Sequence, residues 1–390
     1  MIFKLKTIAG VTTKTISSLW TFPSLIFSAF IIAWAAEAAQ FIVSQGLALA
    51  ILAWLQTLPE FAVEAAIAWE AGADPEKVHL ITANFTGSLR LLVGLGWPLI
   101  YFVSVFFNKR FPFHRRFLPI KFDKEHSVEV VALFPPILYF VIILIKGTLS
   151  LFDSAILFFL YLAYLFILNR VPPHETEELK DAPYVTRKVM SLPPKYRKPA
   201  VFGLFLLGGV SLFFIAEPFL HSMLALATAM GVSHYIFVQW LAPFLSEFPE
   251  KVSALNWART VKKAPMGVMN MVSSNINQWT VLVGMIPIVY SLSRGGISVV
   301  EFDHHQKVEI LLTMVQSSLG MILLANMKFN WYEAAGIFSL WFIQFIYPHL
   351  REEIIIVYSA WIVFELILAL SRKKRLYAFG EFRKLIKEYF

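Results

Sequence analysis

The sequence predicts an all-α polytopic membrane protein, built from two inverted five-helix repeats and one extra C-terminal transmembrane helix. Three observations support this prediction: an apolar composition, a series of long apolar segments, and a motif that occurs twice. Of the 390 residues, 58% are hydrophobic and only 15% are charged. A soluble domain has about 25% charged residues. This chain therefore carries more apolar side chain than a water-facing globule of its size can bury.

Eleven apolar segments are long enough to cross a bilayer, since a transmembrane helix needs roughly 20 residues. Polar residues or prolines interrupt three of them, at Pro59, at Pro249 and around Ser273–Gln278. The predicted spans are 17–43, 46–70, 78–107, 127–146, 149–169, 200–226, 232–258, 265–292, 308–325, 331–348 and 353–371.

The basic residues predict the orientation of the chain in the membrane. Four connecting stretches, 108–126, 170–199, 259–263 and 372–390, hold 23 of the 34 lysines and arginines. With the N-terminus outside and the C-terminus in the cytoplasm, all four lie on the cytoplasmic side, as the positive-inside rule requires. Topology thus explains the net charge of +8, and we expect membrane lipid but no nucleic acid as a partner. Because the sequence has no large regulatory loop, we expect a prokaryotic cytoplasmic membrane. We also expect a monomer.

A short motif occurs once in each half of the chain, in the second and the seventh predicted span. The two copies are Leu55-Gln-Thr-Leu-Pro-Glu60 and Leu245-Ser-Glu-Phe-Pro-Glu250, and both place proline directly before glutamate. About twenty residues later, Ala83-Asn-Phe-Thr-Gly-Ser88 and Met269-Asn-Met-Val-Ser-Ser274 follow in the same order. The chain therefore contains an internal repeat.

The repeat predicts how the chain is organised. Phe122-Asp123 and Phe302-Asp303 precede the fourth span of each half, so the order of elements is kept. Because five spans separate the copies and five is odd, the second copy enters the membrane in the opposite direction. The predicted division is a first repeat over 1–169, a cytoplasmic linker over 170–199, a second repeat over 200–348, and an extra transmembrane helix with a basic tail over 349–390.

The repeated Pro-Glu pair predicts a cation site inside the membrane. Proline in a transmembrane helix leaves a backbone carbonyl of the preceding turn without its donor. Carbonyl and carboxylate oxygens are hard ligands, which suit Na⁺, Ca²⁺ or Mg²⁺. A carboxylate at mid-bilayer costs roughly 2.5–3.5 kcal/mol, so Glu60 and Glu250 require a partner, and a bound cation provides one. Asn84, Ser88, Asn270 and Ser274 add neutral ligands.

On these residues the chain resembles the cation/calcium antiporter superfamily, most closely the sodium/calcium exchangers. Each repeat of those proteins carries Gly-Thr-Ser-Leu-Pro-Glu and then Gly-Asn-x-x-Gly-Ser-Asn. The resemblance implies two calcium-binding glutamates, at Glu60 and Glu250. It also implies that the other ligand positions of the family fall on Gln56, Thr57, Ser246, Glu247, Ser88, Ser274, Leu92 and Gln278.

The sequence departs from the family pattern at several of these positions. Leu92 has no ligating atom, whereas Gln278 offers a carbonyl oxygen without charge. Glu64 and Glu247 add carboxylates. Arg90, two residues after Ser88, has three interpretations: an ion pair with Glu64 or Glu60, a fixed charge that occupies a cation site, or a side chain that extends away from the site.

These features predict a secondary active antiporter that exchanges Ca²⁺ or a related cation for Na⁺ by alternating access. The first and sixth spans would slide against the remaining helices. One alternative replaces Na⁺ by H⁺, and another is a non-transporting or channel-like scaffold in which Arg90 fills the site. We expect no enzyme activity and no cofactor, because metalloprotease, P-loop and nucleophile-elbow motifs are absent from the sequence. The predicted ligands are Glu60, Glu250, Thr57, Ser88, Ser246, Glu247, Ser274, Gln278, Asn84 and Asn270, with Arg90 and Glu64 modifying the site.

Overall fold

The computed structural model describes residues 2–42, 54–55, 57–112, 115–171, 179–371 and 376–390, with the backbone alone over 2–13 and at 181. The described part is helical, with four two-residue strands. Its α-helices are α1 (Ile2–Ala39), α2 (Leu58–Ala73), α3 (Val78–Leu91), α4 (Trp97–Phe107), α5 (Ser127–Ala132), α6 (Phe134–Lys146), α7 (Leu151–Arg170), α8 (Tyr184–Ser191), α9 (Pro194–Met230), α10 (His234–Ser246), α11 (Phe248–Arg259), α12 (Ala264–Asn277), α13 (Val283–Arg294), α14 (His304–Leu324), α15 (Trp331–Ile346), α16 (Arg351–Leu370) and α17 (Tyr377–Tyr389).

Shorter elements connect these helices. Two π-helical turns lie directly after α3 and α12. The π-turns are Leu92–Gly96 and Gln278–Leu282; the strands are β1 (Ile120–Lys121), β2 (Thr148–Leu149), β3 (Val300–Glu301) and β4 (Lys328–Phe329); 3₁₀ turns lie at Pro75–Lys77, Lys124–His126, Leu179–Asp181 and Pro348–Leu350.

The predicted fold class is confirmed. Eight helical segments of the described residues are long and apolar enough to cross a membrane, and each overlaps one of the eleven predicted spans. The other three predicted spans differ for local reasons. Residues 46–53 and 56 of the second lie outside the described residues, the seventh is broken into α10 and α11, and α15 has only 16 residues. The number of eleven spans therefore stays a prediction.

The chain folds into two compact units, and each unit takes segments from both predicted repeats. The first consists of Met1–Ser88, Glu177–Glu250 and Met285–Val300. The second consists of Leu89–Thr176, Lys251–Gly284 and Glu301–Phe390. The division into repeats at 1–169 and 200–348 describes the sequence and stays a prediction.

In the first unit, the long helices α1 and α9 pack against each other along their length. Gly208 of α9 lies against Ile32 of α1, where a Cβ atom would be only 2.6 Å from the Ile32 side chain. Small residues allow such close packing of apolar helices. A buried hydrogen bond of 2.7 Å between the Thr21 and Ser222 hydroxyls also joins the pair. Both helices contact α2, which carries part of the first Pro-Glu motif.

In the second unit, the segment from Asp123 to Asp153 repeats between Asp303 and Glu333. Each copy contains two capping boxes. In a capping box, the residue before the helix and the third residue of the helix each accept, through their side chains, a hydrogen bond from the other's backbone N–H. Asp153 accepts from the Ser150 N–H at 2.7 Å, and Glu333 accepts from the Asn330 N–H at the same distance. The two repeats are thus visible in the structure as well as in the sequence.

Backbone bonds between the two copies follow the same symmetry. The N–H of Phe122 donates to the Met327 carbonyl at 3.1 Å, and the N–H of Phe302 donates to the Gly147 carbonyl at 2.9 Å. Gly147 and Met327 both adopt left-handed backbone, with φ of 70° and 60°. The second copy therefore keeps a conformation that favours glycine although its residue is methionine.

Candidate cation-binding site

Two broken helices position the repeated glutamates. The helix α2 begins at Leu58, so Glu60 lies in its first turn. In the second repeat α10 ends at Ser246 and α11 begins at Phe248, so Glu250 lies in the first turn of α11. Proline is well tolerated there because these N–H groups have no intrahelical acceptor. The helix dipole stabilises a carboxylate at this end. The interruption predicted at Pro249 is thus confirmed, and Pro59 is the second residue of α2.

Glu60 belongs to a buried hydrogen-bond cluster in the first unit. The Asn84 side-chain amide donates to Glu60 Oε1 and to Glu64 Oε2, each at 2.6 Å. The Ser246 hydroxyl donates to the other oxygen of Glu60. All four residues have no exposed side-chain surface. Glu64, one helical turn after Glu60, is therefore part of the same hydrogen-bond cluster.

Another serine–glutamate hydrogen bond also joins the two repeats, with the donor in the first repeat and the acceptor in the second. The Ser88 hydroxyl donates to Glu247 Oε1, and both residues are fully buried. Glu60 of the first repeat thus accepts from a serine of the second, and Glu247 of the second accepts from a serine of the first. The Cβ of any residue replacing Gly87 would collide with the Gln239 carbonyl oxygen of α10, so glycine is what lets α3 approach α10 here.

Two oxygen atoms inside this cluster remain available to a ligand. Glu64 Oε1 and Asn84 Oδ1 are buried and have no hydrogen-bond partner among the described residues. Buried polar atoms are almost always satisfied, so each exception calls for an explanation. Within the described part of the chain, no three acidic or histidine side chains converge as a ready-made metal site. A cation here would thus be held by carboxylate, amide and hydroxyl oxygens together.

The remaining predicted ligands have different surroundings. Thr57 is buried directly before α2, and its hydroxyl donates to the Trp54 carbonyl at 2.8 Å. Glu250 is fully buried in the first unit. Asn270, Ser274 and Gln278 belong to the second unit, where α12 carries the first two and Gln278 opens a π-turn. Gln56, the predicted neighbour of Thr57, lies outside the described residues.

Both positions where the family has a polar ligand begin a π-helical turn. Leu92 opens one turn and Gln278 opens the other. The sequence indicated an irregularity around Ser273–Gln278 but gave no sign of one at Leu92–Gly96, because that stretch is apolar throughout. Such π-turns insert one extra residue into a helix and occur frequently at functional sites.

Arg90 has a partner that the sequence analysis did not consider. An ion pair with Glu64 or Glu60 is one of its three interpretations and stays a prediction. In the second unit, Arg90 Nη2 lies 2.6 Å from Glu309 Oε2, and both side chains are fully buried. Glu309 also forms an ion pair with Arg351, which is 16% exposed. All three residues belong to the second unit. The pairing with Glu309 depends on tertiary packing, which spacing along the chain does not reveal.

A longer repeat match would have singled out Glu309. The paired Phe-Asp positions extend to Phe122-Asp-Lys-Glu-His-Ser-Val-Glu129 and Phe302-Asp-His-His-Gln-Lys-Val-Glu309. Each copy ends on Val-Glu in a transmembrane segment, where an acidic residue is a functional candidate by default. No comparable signal marks Arg351, because it belongs to the helix that has no repeat mate.

A cavity of about 910 Å³ in the first unit lies on another face of α2. Its wall includes Ala62, Ala65 and Ala66, which helical periodicity places away from Glu60 and Glu64. At one end, His221 Nε2 lies 2.5 Å from Glu70 Oε1. This cavity is therefore separate from the carboxylate cluster.

Known proteins share both the sequence pattern and the fold of this chain. The sequence model of a family described as "Sodium/calcium exchanger protein" matches residues 10–169 and 200–348. The solved structure of the H⁺/Ca²⁺ exchanger CAX is 31% identical to this chain, with a TM-score of 0.87, and the match covers 99% of this chain and 98% of that one. A comparison with curated protein sequences gave no match.

Two further solved structures share the fold. The sodium-calcium exchanger NCX_Mj is 18% identical with a TM-score of 0.56, over 86% of this chain and 99% of that one. The structure titled native YfkE is 18% identical with a TM-score of 0.56, over 88% of this chain and 98% of that one. The superfamily predicted from the two Pro-Glu motifs is thus confirmed.

Proposed function

Because the chain belongs to the sodium/calcium exchanger family, we propose that it exchanges Ca²⁺ for H⁺ across a membrane, at a site built on Glu60 and Glu250. The family consists of integral membrane transporters of inorganic cations rather than enzymes, and no cofactor is indicated for it. Antiport of Ca²⁺ or a related cation follows from this membership. Our proposal goes beyond family membership in naming H⁺ as the counter-ion and in naming the ligand residues.

The observation that supports the site is the buried cluster around Asn84. It gathers carboxylate, amide and hydroxyl oxygens from both repeats, and it includes two buried oxygens that have no donor among the described residues. Ca²⁺ is bound by six to eight such oxygens. The resemblance adds Thr57, Asn270, Ser274 and Gln278 to the proposed ligands.

Two observations favour H⁺ over Na⁺ as the counter-ion. First, the relative with 31% identity over nearly the whole chain is an H⁺/Ca²⁺ exchanger, whereas NCX_Mj at 18% identity supports the fold alone. Second, Glu64 and Glu247 add buried carboxylates to the first unit, and Leu92 removes a neutral ligand. Extra carboxylates bind protons when no cation compensates their charge.

The proposed mechanism is competition for the same carboxylates. Ca²⁺ binding requires deprotonated glutamates, so it releases protons, and protonation from the opposite side releases Ca²⁺. Asn84 holds Glu60 and Glu64 together, and Ser246 and Ser88 orient Glu60 and Glu247. Sliding of the packed helices α1 and α9 would expose the site to each side in turn. The predicted orientation has the N-terminus outside.

Reconstituted transport tests this proposal. Purified protein in liposomes is given ⁴⁵Ca²⁺ outside, with either a pH gradient (acidic inside) or a Na⁺ gradient (high inside). We expect uptake driven by the pH gradient, no stimulation by Na⁺, and loss of uptake in Glu250→Gln.

Uptake driven only by Na⁺ would contradict the proton coupling and favour Na⁺/Ca²⁺ exchange. An absence of Ca²⁺ flux with both gradients would favour the scaffold alternative, in which Arg90 occupies the site. Glu76→Gln is the matched control, because Glu76 is an exposed carboxylate outside the cluster.

A further inference from the structure

Three side chains of the second unit, two arginines and one glutamate, are joined by ion pairs outside the proposed ligand cluster. Glu309 of α14 pairs with Arg90 of α3 and with Arg351 of α16, and we refer to these three residues as the arginine triad. Arg90 and Glu309 have no exposed side-chain surface. Because both arginines share one carboxylate, removing Glu309 would take this ionic partner from the buried Arg90 side chain, which is strongly unfavourable.

The end of α3 is held by further bonds in the same unit. Asn275 of α12 donates its side-chain amide to the Leu89 carbonyl at 3.3 Å, and Gln316 of α14 donates to the Arg90 carbonyl at the same distance. These carbonyls lie where α3 passes into its π-turn, and at such junctions the regular backbone bonding changes and outside donors are needed. The side chain and the backbone of Arg90 are thus both fixed by α14.

Helix α14 also contacts the second π-turn. The indole N–H of Trp279, the second residue of that turn, donates to the Ser317 hydroxyl at 3.2 Å. Ser317 is the neighbour of Gln316, so adjacent residues of α14 bond to the π-turn regions of both repeats.

The repeat symmetry does not account for the triad. The mate of Glu309 is Glu129, whose Oε2 has no hydrogen-bond partner among the described residues and which forms no ion pair there. Aligning Ser88 with Ser274 places an isoleucine, Ile276, at the position of Arg90. Arg351 comes from the helix without a repeat mate. The equivalent positions of the other repeat thus lack these ion pairs. The shared repeat fold does not require them, so the triad calls for an explanation of its own.

We propose that the arginine triad is a positioning device for α3 and its π-turn, and that the extra helix α16 serves transport by supplying Arg351. The proposal rests on the function proposed above. Asn84 and Ser88 lie on α3, and Arg90 follows two residues later in the same helix. Fixing Arg90 therefore fixes the rotation and register of α3, which sets where the Asn84 and Ser88 side chains lie.

Direct binding and hydrogen exchange test this positioning role. Wild-type protein is compared with Arg351→Met, Arg351→Lys, Glu309→Gln, Gln316→Leu and the double variant Glu309→Gln/Arg351→Met. Equilibrium ⁴⁵Ca²⁺ binding to the purified protein gives the dissociation constant without any gradient. Mass spectrometry follows hydrogen exchange in peptides that cover 78–96. Glu353→Gln is the matched control, because Glu353 is an exposed carboxylate on α16 and lies outside the triad.

We expect Arg351→Met and Glu309→Gln to weaken Ca²⁺ binding about tenfold or more, as loss of residues that orient metal ligands does. Amides of 89–96 should exchange faster in both. Arg351→Lys should recover most of the affinity. The double variant should be no weaker than Glu309→Gln alone, because both substitutions act through Arg90. Gln316→Leu should have the same effects to a smaller extent. It tests the proposal even if the Glu309→Gln variant does not fold.

Lower melting temperatures with unchanged Ca²⁺ affinity and unchanged exchange over 89–96 would overturn the proposal, since they indicate only a structural role. An equal loss in Glu353→Gln would also overturn it. If the wild type binds Ca²⁺ but does not exchange it for H⁺, the proposed function fails while the triad proposal is still decided by the variants. A wild type that binds no Ca²⁺ overturns both.

Discussion

The two repeats of this chain agree in backbone and differ in chemistry. Each breaks a helix before a Pro-Glu pair and places that glutamate in the first turn of the next helix. Each also contains a π-turn, yet one opens on Leu92 and the other on Gln278. The second carboxylate differs too, because Glu64 follows Glu60 by one helical turn, whereas Glu247 precedes Glu250.

The difference shows which features symmetry preserves. Helix starts and caps depend on local residue types such as proline and the acidic residues, and both copies keep them. The left-handed turn is also kept, although Met327 stands where the first copy has Gly147. Ligand positions have diverged, and so have the ionic partners of Glu129 and Glu309. A site formed at the interface of such repeats is therefore asymmetric, and substitutions that copy one repeat into the other test which differences matter.

The largest expected effect concerns the pair that both repeats share. Glu60→Gln and Glu250→Gln each remove one buried negative charge at nearly constant side-chain volume. We expect either substitution to abolish pH-driven Ca²⁺ uptake in liposomes, because a divalent cation requires carboxylate ligands. If one variant keeps wild-type uptake, the repeats are not equivalent at this position and that glutamate is not a ligand.

A second test copies the residue of the second repeat into the first. Gly87→Ser introduces the side chain that Ser273 has at the aligned position, but its Cβ would collide with the Gln239 carbonyl oxygen. We expect unfolding free energy to fall by about 1–3 kcal/mol, as for an overpacked core. Thermal unfolding in detergent measures this. Gly209→Ser is the control, since nothing lies within 4 Å of a Cβ there, and an equal loss in both would contradict the packing argument.

A third test makes the two π-turns alike. Gln278→Leu removes the predicted ligand oxygen and reproduces Leu92 in the second repeat. We expect the half-saturating Ca²⁺ concentration to rise about tenfold, since a polar contact with a charged group contributes about 1.5–3 kcal/mol. Gln344→Leu, which changes another buried glutamine of the second unit, should leave it unchanged. Equal behaviour of the two variants would remove Gln278 from the ligand set.

The smallest expected effect separates the two helix caps. Asp153→Asn and Glu333→Gln weaken equivalent capping boxes, each by about 1 kcal/mol. Asp153 also forms an ion pair of 2.5 Å with Lys146, a half-exposed partner, so its variant should lose somewhat more. Melting temperatures of the two variants measure the difference. A larger loss for Glu333→Gln would show that the ion pair contributes nothing.

Much of the fold could be predicted because its signals are local. Pro59 and Pro249 mark helix starts through the missing N–H of proline, and long apolar segments mark membrane spans. Glu60 and Glu64 were predicted to lie at one site because they are one helical turn apart, and Asn84 joins them in the structure. These inferences need no knowledge of tertiary packing.

Other features could not be predicted because they depend on distant contacts. The partner of Arg90 is separated from it by most of the second repeat, and Arg351 lies on a helix with no repeat mate. The apolar stretch Leu92–Gly96 gives no residue-level sign of a π-turn, which becomes visible only in the backbone. Spacing along the chain thus predicts neighbours on one helix but not partners between helices.

Proton release on Ca²⁺ binding is the measurement that tests the central claim most directly. Calorimetric titration of the purified protein with Ca²⁺, at neutral pH in two buffers of different ionisation enthalpy, counts the protons released. We expect net proton release and less release in Glu64→Gln. Binding should become tighter as pH rises, because the carboxylates must be deprotonated. Ca²⁺ binding that releases no protons and does not depend on pH would contradict the claim that protons and Ca²⁺ compete for the same glutamates.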